Sequence, residues 1–264
     1  MGAISVSELR SSLVQRNGPI VLDVRPARAY RDASDAIAGA LRRDPEAVAS
    51  WMKTFPRASS VTVYCTHGRD ASRSVAKALH GHGIEARYLE GGIDAWKAED
   101  GPLDRKPPGG SLRWVTRERP KIDRIACPWL ISRFVDCESE FLYVPPGQVL
   151  EVAQARHAVP YDVPDVHFSH ENDLCSFDAF VTHYRLGADP ALGRLALIVR
   201  GADTAKLDLA PQAHGLAAVS LGLSRIFPDD HEMLKHGVVL YDALYAWCKE
   251  GQDERHTWNP EAYR

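Results

Sequence analysis

Apolar residues in the first hundred positions form short, nearly continuous runs that alternate with segments of helical spacing. Two runs predict strands buried on both faces, PIVLDV (19–24) and SVTVYC (60–65), and EARYLEGG (85–92) predicts a third strand. Four segments predict helices: ARAYRDASD (27–35), DPEAVASWMKTF (44–55), SRSVAKALHGHG (72–83) and IDAWKAE (93–99). Asp44 would cap the second helix, with Pro45 at its first position. Strands and helices in alternation predict a parallel sheet covered by helices.

The segment DGPLDRKPPGGSL (100–112) interrupts this pattern. It contains three prolines and three glycines and has no hydrophobic period, which is typical of a surface linker. We therefore expect one domain over residues 1–104, a linker over 105–112 and a second domain over 113–264.

Beyond the linker, the pattern predicts two short strands and then three helices. The strands are EFLYVP (140–145) and DVHFSH (165–170). The helices, each starting with an acidic cap or a proline, are DPALGRLALIVRGAD (189–203), PQAHGLAAVSLGLSRIF (211–227) and DDHEMLKHGVVLYDALYAWCKE (229–250). The second domain is therefore expected to be helix-rich α+β.

Composition excludes several classes of protein. The net charge is −3, divided as +3 over residues 1–112 and −6 over 113–264, so neither half has the basic surface of a general nucleic-acid binder. There is no apolar run long enough to cross a bilayer, and the first twenty residues do not form a signal peptide. Five irregularly spaced cysteines argue against a disulfide framework. We expect a cytoplasmic protein without nucleic-acid or membrane partners.

The segment YCTHGRDASRS (64–74) places Cys65 between a predicted strand and a predicted helix. Ligands of parallel sheets bind at the carboxyl ends of the strands, and the amino end of a helix adds positive potential. Both features favour a thiolate, as would Arg69 and Arg73 if they point inward. The alternative is a structural cysteine that closes a core strand, since free cysteines are often buried.

Four motifs in this order resemble a rhodanese domain over residues 4 to about 103. They are VLDVRPARAY (21–30), AIAGA (36–40), VTVYCTHGRDASRSVAKAL (61–79) and YLEGGIDAW (88–96). The resemblance implies an α/β fold, a rhodanese-like parallel sheet flanked by helices, and a cysteine that accepts sulfane sulfur. It assigns Cys65 as the persulfide-forming nucleophile and Asp23 and Arg25 as supporting residues. The loop that would hold the sulfur donor is Thr66, His67, Gly68, Arg69, Asp70, Ala71, Ser72 and Arg73.

The loop departs from the common rhodanese pattern. Many rhodaneses have an arginine five residues after the cysteine and then a serine, where this chain has Asp70 and Ala71. A phosphatase or arsenate reductase on this fold would need Cys-x5-Arg, and Ala71 occupies the arginine position. Sulfur transfer needs only a thiolate and a leaving group, so it remains the favoured reaction, and it requires no cofactor.

Three polar clusters suggest a second site beyond the linker, and one of them is VHFSHENDLCSFDAF (166–180). A basic run leads into CPWL (127–130), and LIVRGADT (197–204) pairs Arg200 with Asp203 on one helix face. The candidate residues of this second-domain site are Lys121, Asp123, Arg124, Cys127, Trp129 and Arg200. A charged face exposed to solvent is the alternative for the basic run.

Histidines are concentrated in the second half, which raises the question of a metal. A mixed nitrogen and oxygen site for a divalent metal could be formed by His170, Glu171, Asp203 and His214. The alternative is a polar network that ties helices together. The histidines of HEMLKH (231–236) are five apart rather than four, so this segment is not the metalloprotease motif.

The second half also resembles the C-terminal domain of the chromate-resistance protein ChrB family, over about 113–250. The segments that carry this resemblance are RPKIDRIACPWLISRF (119–134), FLYVP (141–145), FSHENDLCSFDAF (168–180), LIVRGADT (197–204) and HGVVLYDALYAW (236–247). It implies a bacterial protein linked to chromate tolerance or sensing. ChrB-type regulators also carry an N-terminal DNA-binding part, whose position is taken here by the rhodanese-like domain.

These observations leave two main hypotheses. The first is a sulfurtransferase that moves sulfur from thiosulfate or a persulfide, through Cys65, to a thiol acceptor such as glutathione or to cyanide. The second is a sensor that binds chromate or sulfate, or a metal, without turnover. A redox enzyme acting on chromate is a weaker third, because the sequence has no flavin or nicotinamide fingerprint.

Overall fold

The N-terminal half folds around a parallel sheet, as its apolar runs predict. The computed structural model describes residues 2–15, 18–55, 59–106 and 112–253. The strands of this half are β1 (Gly2–Ile4), β2 (Ile20–Asp23), β3 (Asp35–Ile37), β4 (Leu41–Arg42), β5 (Ser60–Tyr64), β6 (Glu85–Leu89) and β7 (Leu103–Arg105). Five of them form a sheet in the order β1-β6-β5-β2-β4, and all four pairings are parallel. The predicted α/β class of this half is confirmed.

Helices cover this sheet, in which β5 is the central strand. They are α1 (Val6–Leu13), α2 (Ala27–Asp32), α3 (Val48–Trp51), α4 (Asp70–Gly81) and α5 (Gly92–Ala98). The helix predicted over 44–55 is wrong in its first part. The Asp44 carboxylate accepts the N–H of Glu46 at 2.9 Å in a turn, and the helix begins only at Val48.

The C-terminal half is helix-rich, as predicted, and includes a small parallel sheet. Its strands are β8 (Arg113–Arg117), β9 (Glu140–Val144) and β10 (Val159–Pro160), in the order β10-β8-β9. Its helices are α6 (Asp123–Leu130), α7 (Val149–Arg156), α8 (Ser176–His183), α9 (Pro190–Asp203), α10 (Gln212–Ile226) and α11 (Asp230–Ala246). No helix in the described part of the chain is long and apolar enough to cross a membrane.

The strand predicted over 165–170 is wrong. This segment consists of turns, and Phe168 forms a single bridge with Tyr161. The Phe168 ring stacks on Phe180 and lies edge-on to Trp114, so its burial comes from aromatic packing and not from a sheet. The alternation of apolar Val166 and Phe168 with polar residues therefore resembled the pattern of a strand.

The two halves share one apolar core. Leu41 and Phe55 of the first half belong to the same buried cluster as Leu186 and Leu192 of the second. The Tyr30 hydroxyl also donates a hydrogen bond to the buried carboxylate of Asp136 at 2.9 Å. Contacts of this kind fix the second half against the sheet.

The predicted linker begins inside ordered structure. Arg105 belongs to β7, which pairs antiparallel with β3, and Lys106 is buried with its ammonium donating to the Arg31 carbonyl at 3.0 Å. Residues 107–111 of this linker lie outside the described residues, as do residues 254–264 at the end of the predicted second domain.

Candidate functional site

Cys65 stands directly after β5, at the carboxyl edge of the sheet and before the first turn of α4. Its residue is 6% exposed, so the thiol is nearly enclosed while lying at the sheet edge where ligands bind. The sulfur accepts the backbone N–H of Arg69 at 3.3 Å and lies 3.3 Å from the Ser72 hydroxyl. The loop thus curls around the sulfur atom and directs hydrogen-bond donors to it.

These donors decide the ionisation of the thiol. Burial alone would raise the pKa of Cys65. Hydrogen bonds from Ser72, and from the backbone N–H groups of Arg69 and His67, outweigh burial and hold the pKa of this thiol below its ordinary value. Cys127, Cys175 and Cys248 differ, because burial raises the pKa of each thiol. Cys65 is therefore the cysteine whose surroundings favour a thiolate nucleophile.

Two glycines, Gly68 and Gly92, allow the cysteine loop to pack closely against the start of α5. Gly92 has φ +61°, and a Cβ atom there would lie 2.3 Å from the Cys65 carbonyl oxygen. Gly68 has φ +66°, and a Cβ atom there would lie 2.4 Å from the Leu89 carbonyl oxygen. The close approach lets the N–H groups of Ile93 and Asp94 bond the carbonyls of Cys65 and Thr66, at 3.0 and 3.2 Å. Gly68 in the cysteine loop and Gly92 of the Gly-Gly motif thus allow the loop to pack against the start of α5.

We call the loop of residues 66–73 around the Cys65 sulfur the cradle. Its remaining residues lie on the outer side. His67 is exposed and its Nδ1 lies 2.7 Å from the Asp94 carboxylate. Arg73 points away from the sulfur, because its Nε donates to the Gly68 carbonyl at 3.2 Å and its guanidinium lies 5.0 Å from the centre of the Tyr88 ring. The other outer residues are Arg69 and Asp70, both exposed, and Thr66 and Ala71, both half-buried.

Asp23 and Arg25 form a buried ion pair behind the cysteine strand. The Arg25 guanidinium donates to both oxygens of the Asp23 carboxylate, and the Tyr64 hydroxyl also donates to this carboxylate, at 2.7 Å. Both charged residues are at most 2% exposed. Since Tyr64 immediately precedes Cys65, this pair anchors the end of β5 next to the cysteine.

Most side chains of the basic run form ion pairs or hydrogen bonds within the protein. The run consists of Arg113, Arg117, Arg119, Lys121 and Arg124. Arg117 and Arg124 both bind the Asp162 carboxylate, at 2.7 and 3.2 Å. Arg119 donates to the carbonyl of Pro228 at 2.6 Å and also to the carbonyl of Ser224. Lys121 is half-buried, and no ion pair of its ammonium occurs within the described ranges. The run therefore ties the loop before α6 to the neighbouring helices.

The CPWL segment and Arg200 also have internal partners. Cys127 and Trp129 are completely buried, and the Trp129 indole donates to Asp242 at 2.8 Å. Arg200 binds Asp178 with two hydrogen bonds, at 2.9 and 2.6 Å. The expected pairing of Arg200 and Asp203 across one turn of α9 does not occur, because Asp203 points to a different group.

That group is His170, which lies at the centre of three aspartates. Its Nε2 atom is 3.3 Å from Asp123 Oδ2, 3.3 Å from Asp162 Oδ1 and 3.1 Å from Asp203 Oδ2. Ligand atoms of Asp123, Asp162 and His170 all lie within 4.8 Å of one another, the spacing of a metal site. The cluster joins the start of α6, the loop after β10, the segment before α8 and the end of α9.

The predicted metal set is thus corrected in two positions. His170 and Asp203 do come together, whereas Glu171 is exposed and bonds backbone to backbone with Leu174, and His214 is exposed on α10. Asp123 was expected in the site without a metal role, and Asp162 was not expected at all. A signal for Asp162 did exist, since it is a charged residue inside the apolar segment VPYDVP (159–164).

Crowding of carboxylates favours retention of protons in this cluster. Burial raises the pKa of Asp203, and the charge of Asp123 raises it further. A hydrogen bond with Asp123 raises the pKa of His170. Burial likewise raises the pKa of Asp162, although Arg117 opposes this change. The carboxylates of Asp162 and Asp203 therefore retain a proton more readily than exposed aspartates do.

Comparison with known families agrees with both halves of this description. Residues 114–248 match the C-terminal domain of ChrB, and residues 5–99 match the rhodanese-like domain. The chain therefore belongs to the ChrB C-terminal domain family and carries a rhodanese-like domain before it.

Three individual proteins illustrate these similarities. The chain is 31% identical over 134 residues to Protein ChrB of Cupriavidus metallidurans, covering 50% of this chain and 40% of that protein. It is 33% identical over 87 residues to Thiosulfate sulfurtransferase GlpE of Pseudomonas putida, covering 33% of this chain and 76% of that protein. The solved Rhodanese-like Domain Protein from Staphylococcus aureus is 25% identical with a TM-score of 0.36, covering 40% of this chain and 100% of that chain. The chain thus spans less than half the length of the ChrB relative.

Proposed function

We propose that this protein is a sulfurtransferase that carries sulfane sulfur as a persulfide on Cys65. The observation that carries the proposal is the position of the Cys65 sulfur, 3.3 Å from both the Arg69 N–H nitrogen and the Ser72 hydroxyl. These donors stabilise a thiolate, and the same donors would stabilise the negative charge of a persulfide at this edge of the sheet.

The reaction needs no cofactor in this proposal. The Cys65 thiolate attacks the outer sulfur of thiosulfate, a Cys65 sulfur–sulfur bond forms, and the sulfur–sulfur bond of thiosulfate breaks. The bonding electron pair leaves on sulfite. An acceptor thiolate, or cyanide, then attacks the outer sulfur of the persulfide, so that a new persulfide or thiocyanate leaves and the Cys65 thiolate returns. Electrons balance in each step without an external oxidant or reductant.

The donor is a small sulfur compound in this proposal, thiosulfate or a persulfide. The backbone N–H groups of the loop supply positive potential, and the exposed guanidinium of Arg69 stands at the outer side of the cradle. Arg73 contributes less, because it is bound to the Gly68 carbonyl and stacked on Tyr88. We expect an anionic donor to depend more on Arg69 than on Arg73.

The connection with chromate follows from the family and forms part of the proposal. A ChrB-type domain accompanies the sulfur site in this chain. Because the Tyr30 hydroxyl bonds Asp136 and both halves share a core, that domain is held against the sheet that carries Cys65. We propose that sulfur transfer serves chromate resistance in the cytoplasm.

A sensor that binds chromate or sulfate without turnover receives less support. A tetrahedral dianion needs unpaired cationic donors, but Arg117 and Arg124 are bound to Asp162, and Arg200 is bound to Asp178. Oxyanion binding that persists in Cys65→Ala, without any sulfur transfer, would favour the sensor.

The test is transfer of sulfur from thiosulfate to cyanide, measured as thiocyanate. Cys65→Ser should lose the activity, because a hydroxyl cannot form the persulfide. Cys137→Ser is the matched control, since Cys137 is the exposed cysteine of the described chain and lies outside the cradle. Loss in the first variant and retention in the second support the proposal. Wild-type protein without turnover for thiosulfate or for persulfide donors would overturn it.

A further inference from the structure

We propose that Asp123, Asp162, Asp203 and His170 bind one divalent first-row transition-metal ion. The four side chains come from separate segments of the second half and converge on one point. Asp123 and Asp162 have side chains 3% and 5% exposed, whereas His170 is 41% exposed and leaves a path from solvent. This inference is independent of sulfur transfer, since none of the four residues belongs to the Cys65 cradle.

Hydrogen-bond donors are too few for the acceptors in this cluster. His170 Nε2 carries at most one proton, yet three carboxylate oxygens lie within 3.3 Å of it. Asp162 Oδ1 has a second donor in the Ser176 hydroxyl, at 3.0 Å. The imidazole lies within hydrogen-bond distance of Asp123 Oδ2, at 3.3 Å, and 3.1 Å from Asp203 Oδ2, but its single Nε2 proton serves only one of these oxygens at a time. Two carboxylates therefore compete for one donor at the centre of the cluster.

Charge accounting leads to the same point. Asp162 is compensated by Arg117 and Arg124. In the described part of the chain, Asp123 and Asp203 form ion pairs with His170 alone. Two buried carboxylates that share one imidazole are costly to desolvate, and a divalent cation bound between them in place of the imidazole proton would stabilise both.

The spacing of the ligand atoms fits a metal of this size. Nitrogen and oxygen ligands bind Zn²⁺ at roughly 2.0–2.2 Å, so neighbouring ligands of one ion are separated by about 3.0–3.5 Å. His170 Nε2 stands 3.1–3.3 Å from its three carboxylate neighbours. The ligand atoms of Asp123, Asp162 and His170 lie within 4.8 Å of one another, so a local rearrangement of these side chains and of Asp203 would bring them around one ion.

The donor set selects the class of ion. Imidazole nitrogen favours zinc and neighbouring transition metals over calcium and magnesium, whereas several carboxylates suit manganese as well. Cys127 and Cys175 are buried, but neither sulfur belongs to the group of ligand atoms that lie within 4.8 Å of one another. We therefore expect binding of Mn²⁺ and Zn²⁺ and weak binding of Ca²⁺.

The experiment uses Mn²⁺, because this ion binds thiols weakly and its free form is measured by electron paramagnetic resonance. The full chain carrying Cys65→Ser is titrated with Mn²⁺, alone and with His170→Gln or Asp203→Asn added. Glu171→Gln and His214→Gln serve as matched controls, since each removes a possible ligand that lies outside the cluster. Thermal unfolding of every metal-free variant checks that it folds.

One Mn²⁺ per chain is expected for the parent and for both controls. His170→Gln and Asp203→Asn should weaken binding at least tenfold, and Zn²⁺ should compete for the same site. His170 is partly exposed, so its replacement leaves the fold intact and keeps the test decisive. Absence of Mn²⁺ and Zn²⁺ binding to the folded parent would overturn the proposal, as would equal affinities in the parent and His170→Gln.

Discussion

Ser72 Oγ lies 3.3 Å from Cys65 Sγ, and the same hydroxyl can donate to the Arg69 carbonyl at 3.1 Å. The serine stands in the first turn of α4, so the helix that follows the cysteine loop brings a donor back to the sulfur. When the thiolate forms, this hydroxyl can turn from the carbonyl to the sulfur. Stabilisation of the thiolate therefore depends on a residue seven positions along the chain.

Replacement of Ser72 tests this dependence. Ser72→Ala should raise the pKa of Cys65, because it removes a hydrogen bond that lowers it. Alkylation by iodoacetamide follows the thiolate fraction, so its rise with pH should begin at higher pH than in wild type. At neutral pH the rate should fall roughly tenfold, as for loss of one hydrogen bond to a charged group.

The pH profile is measured in a Cys137→Ser background, so that the exposed thiol does not contribute. Ser74→Ala is the control, since Ser74 is exposed on the same helix. Identical profiles for Ser72→Ala and Ser74→Ala would show that the hydroxyl does not stabilise the thiolate.

Gly92 should tolerate no side chain. A Cβ atom would lie 2.3 Å from the Cys65 carbonyl oxygen and 2.5 Å from that of Thr66, at a positive φ. We expect Gly92→Ala to displace the loop, to abolish sulfur transfer and to lower stability by about 1–3 kcal/mol.

Urea unfolding and the thiocyanate assay measure both effects. Gly81→Ala is the control, because a Cβ atom there meets nothing within 4 Å and Gly81 ends α4. A Gly92→Ala protein with wild-type activity would contradict the role of this glycine in forming the cradle.

The Arg200–Asp178 pair should stabilise the second half. Asp178 is 7% exposed, and Arg200→Ala would leave its carboxylate without the two guanidinium donors. We expect the free energy of unfolding to fall by about 3 kcal/mol. Arg225→Ala, on the exposed side of α10, should change it by less than about 0.5 kcal/mol.

A different result for Arg200→Ala would support the sensor hypothesis. If Arg200→Ala unfolds as wild type does but loses binding of sulfate in a calorimetric titration, the guanidinium serves an anion and not the fold.

The bond between Tyr30 and Asp136 should couple the two halves. Asp136 is 1% exposed, so Tyr30→Phe removes a donor from a buried carboxylate and should cost about 1–3 kcal/mol. Tyr88→Phe is the control, because the ring that supports Arg73 is kept.

Fluorescence-detected urea unfolding gives the comparison. Equal stability of Tyr30→Phe and Tyr88→Phe would show that the contact between the halves does not depend on this hydrogen bond.

Patterns of apolar residues predicted the central strands but not the shorter elements. Strands β2 and β5 were predictable because a buried strand is an apolar run, and β6 because its buried residues alternate with exposed ones. Strands β3 and β7 have three residues each and exist through their pairing with each other, which no local pattern records. The segment 165–170 failed for the converse reason, since Phe168 is buried by rings from distant positions.

The site residues also divide into those predictable from a local pattern and those brought together only by the fold. The cysteine loop was predictable because its residues are contiguous and its motif is ordered along the chain. The aspartate–histidine cluster was predictable only in His170 and Asp203, because its members lie up to 80 positions apart, as Asp123 and Asp203 do. Glu171 follows His170 directly, and adjacent residues in an irregular segment need not point to the same side.

The central claim, that Cys65 carries sulfur, is tested most directly by intact-mass measurement after incubation with thiosulfate. Wild-type protein should gain about 32 Da, the mass of one sulfur atom, and should lose it again on addition of cyanide. The gain should be absent in Cys65→Ser and present in Cys137→Ser. A wild-type mass that never changes with thiosulfate or persulfide donors, or an equal gain in Cys65→Ser, would contradict the account.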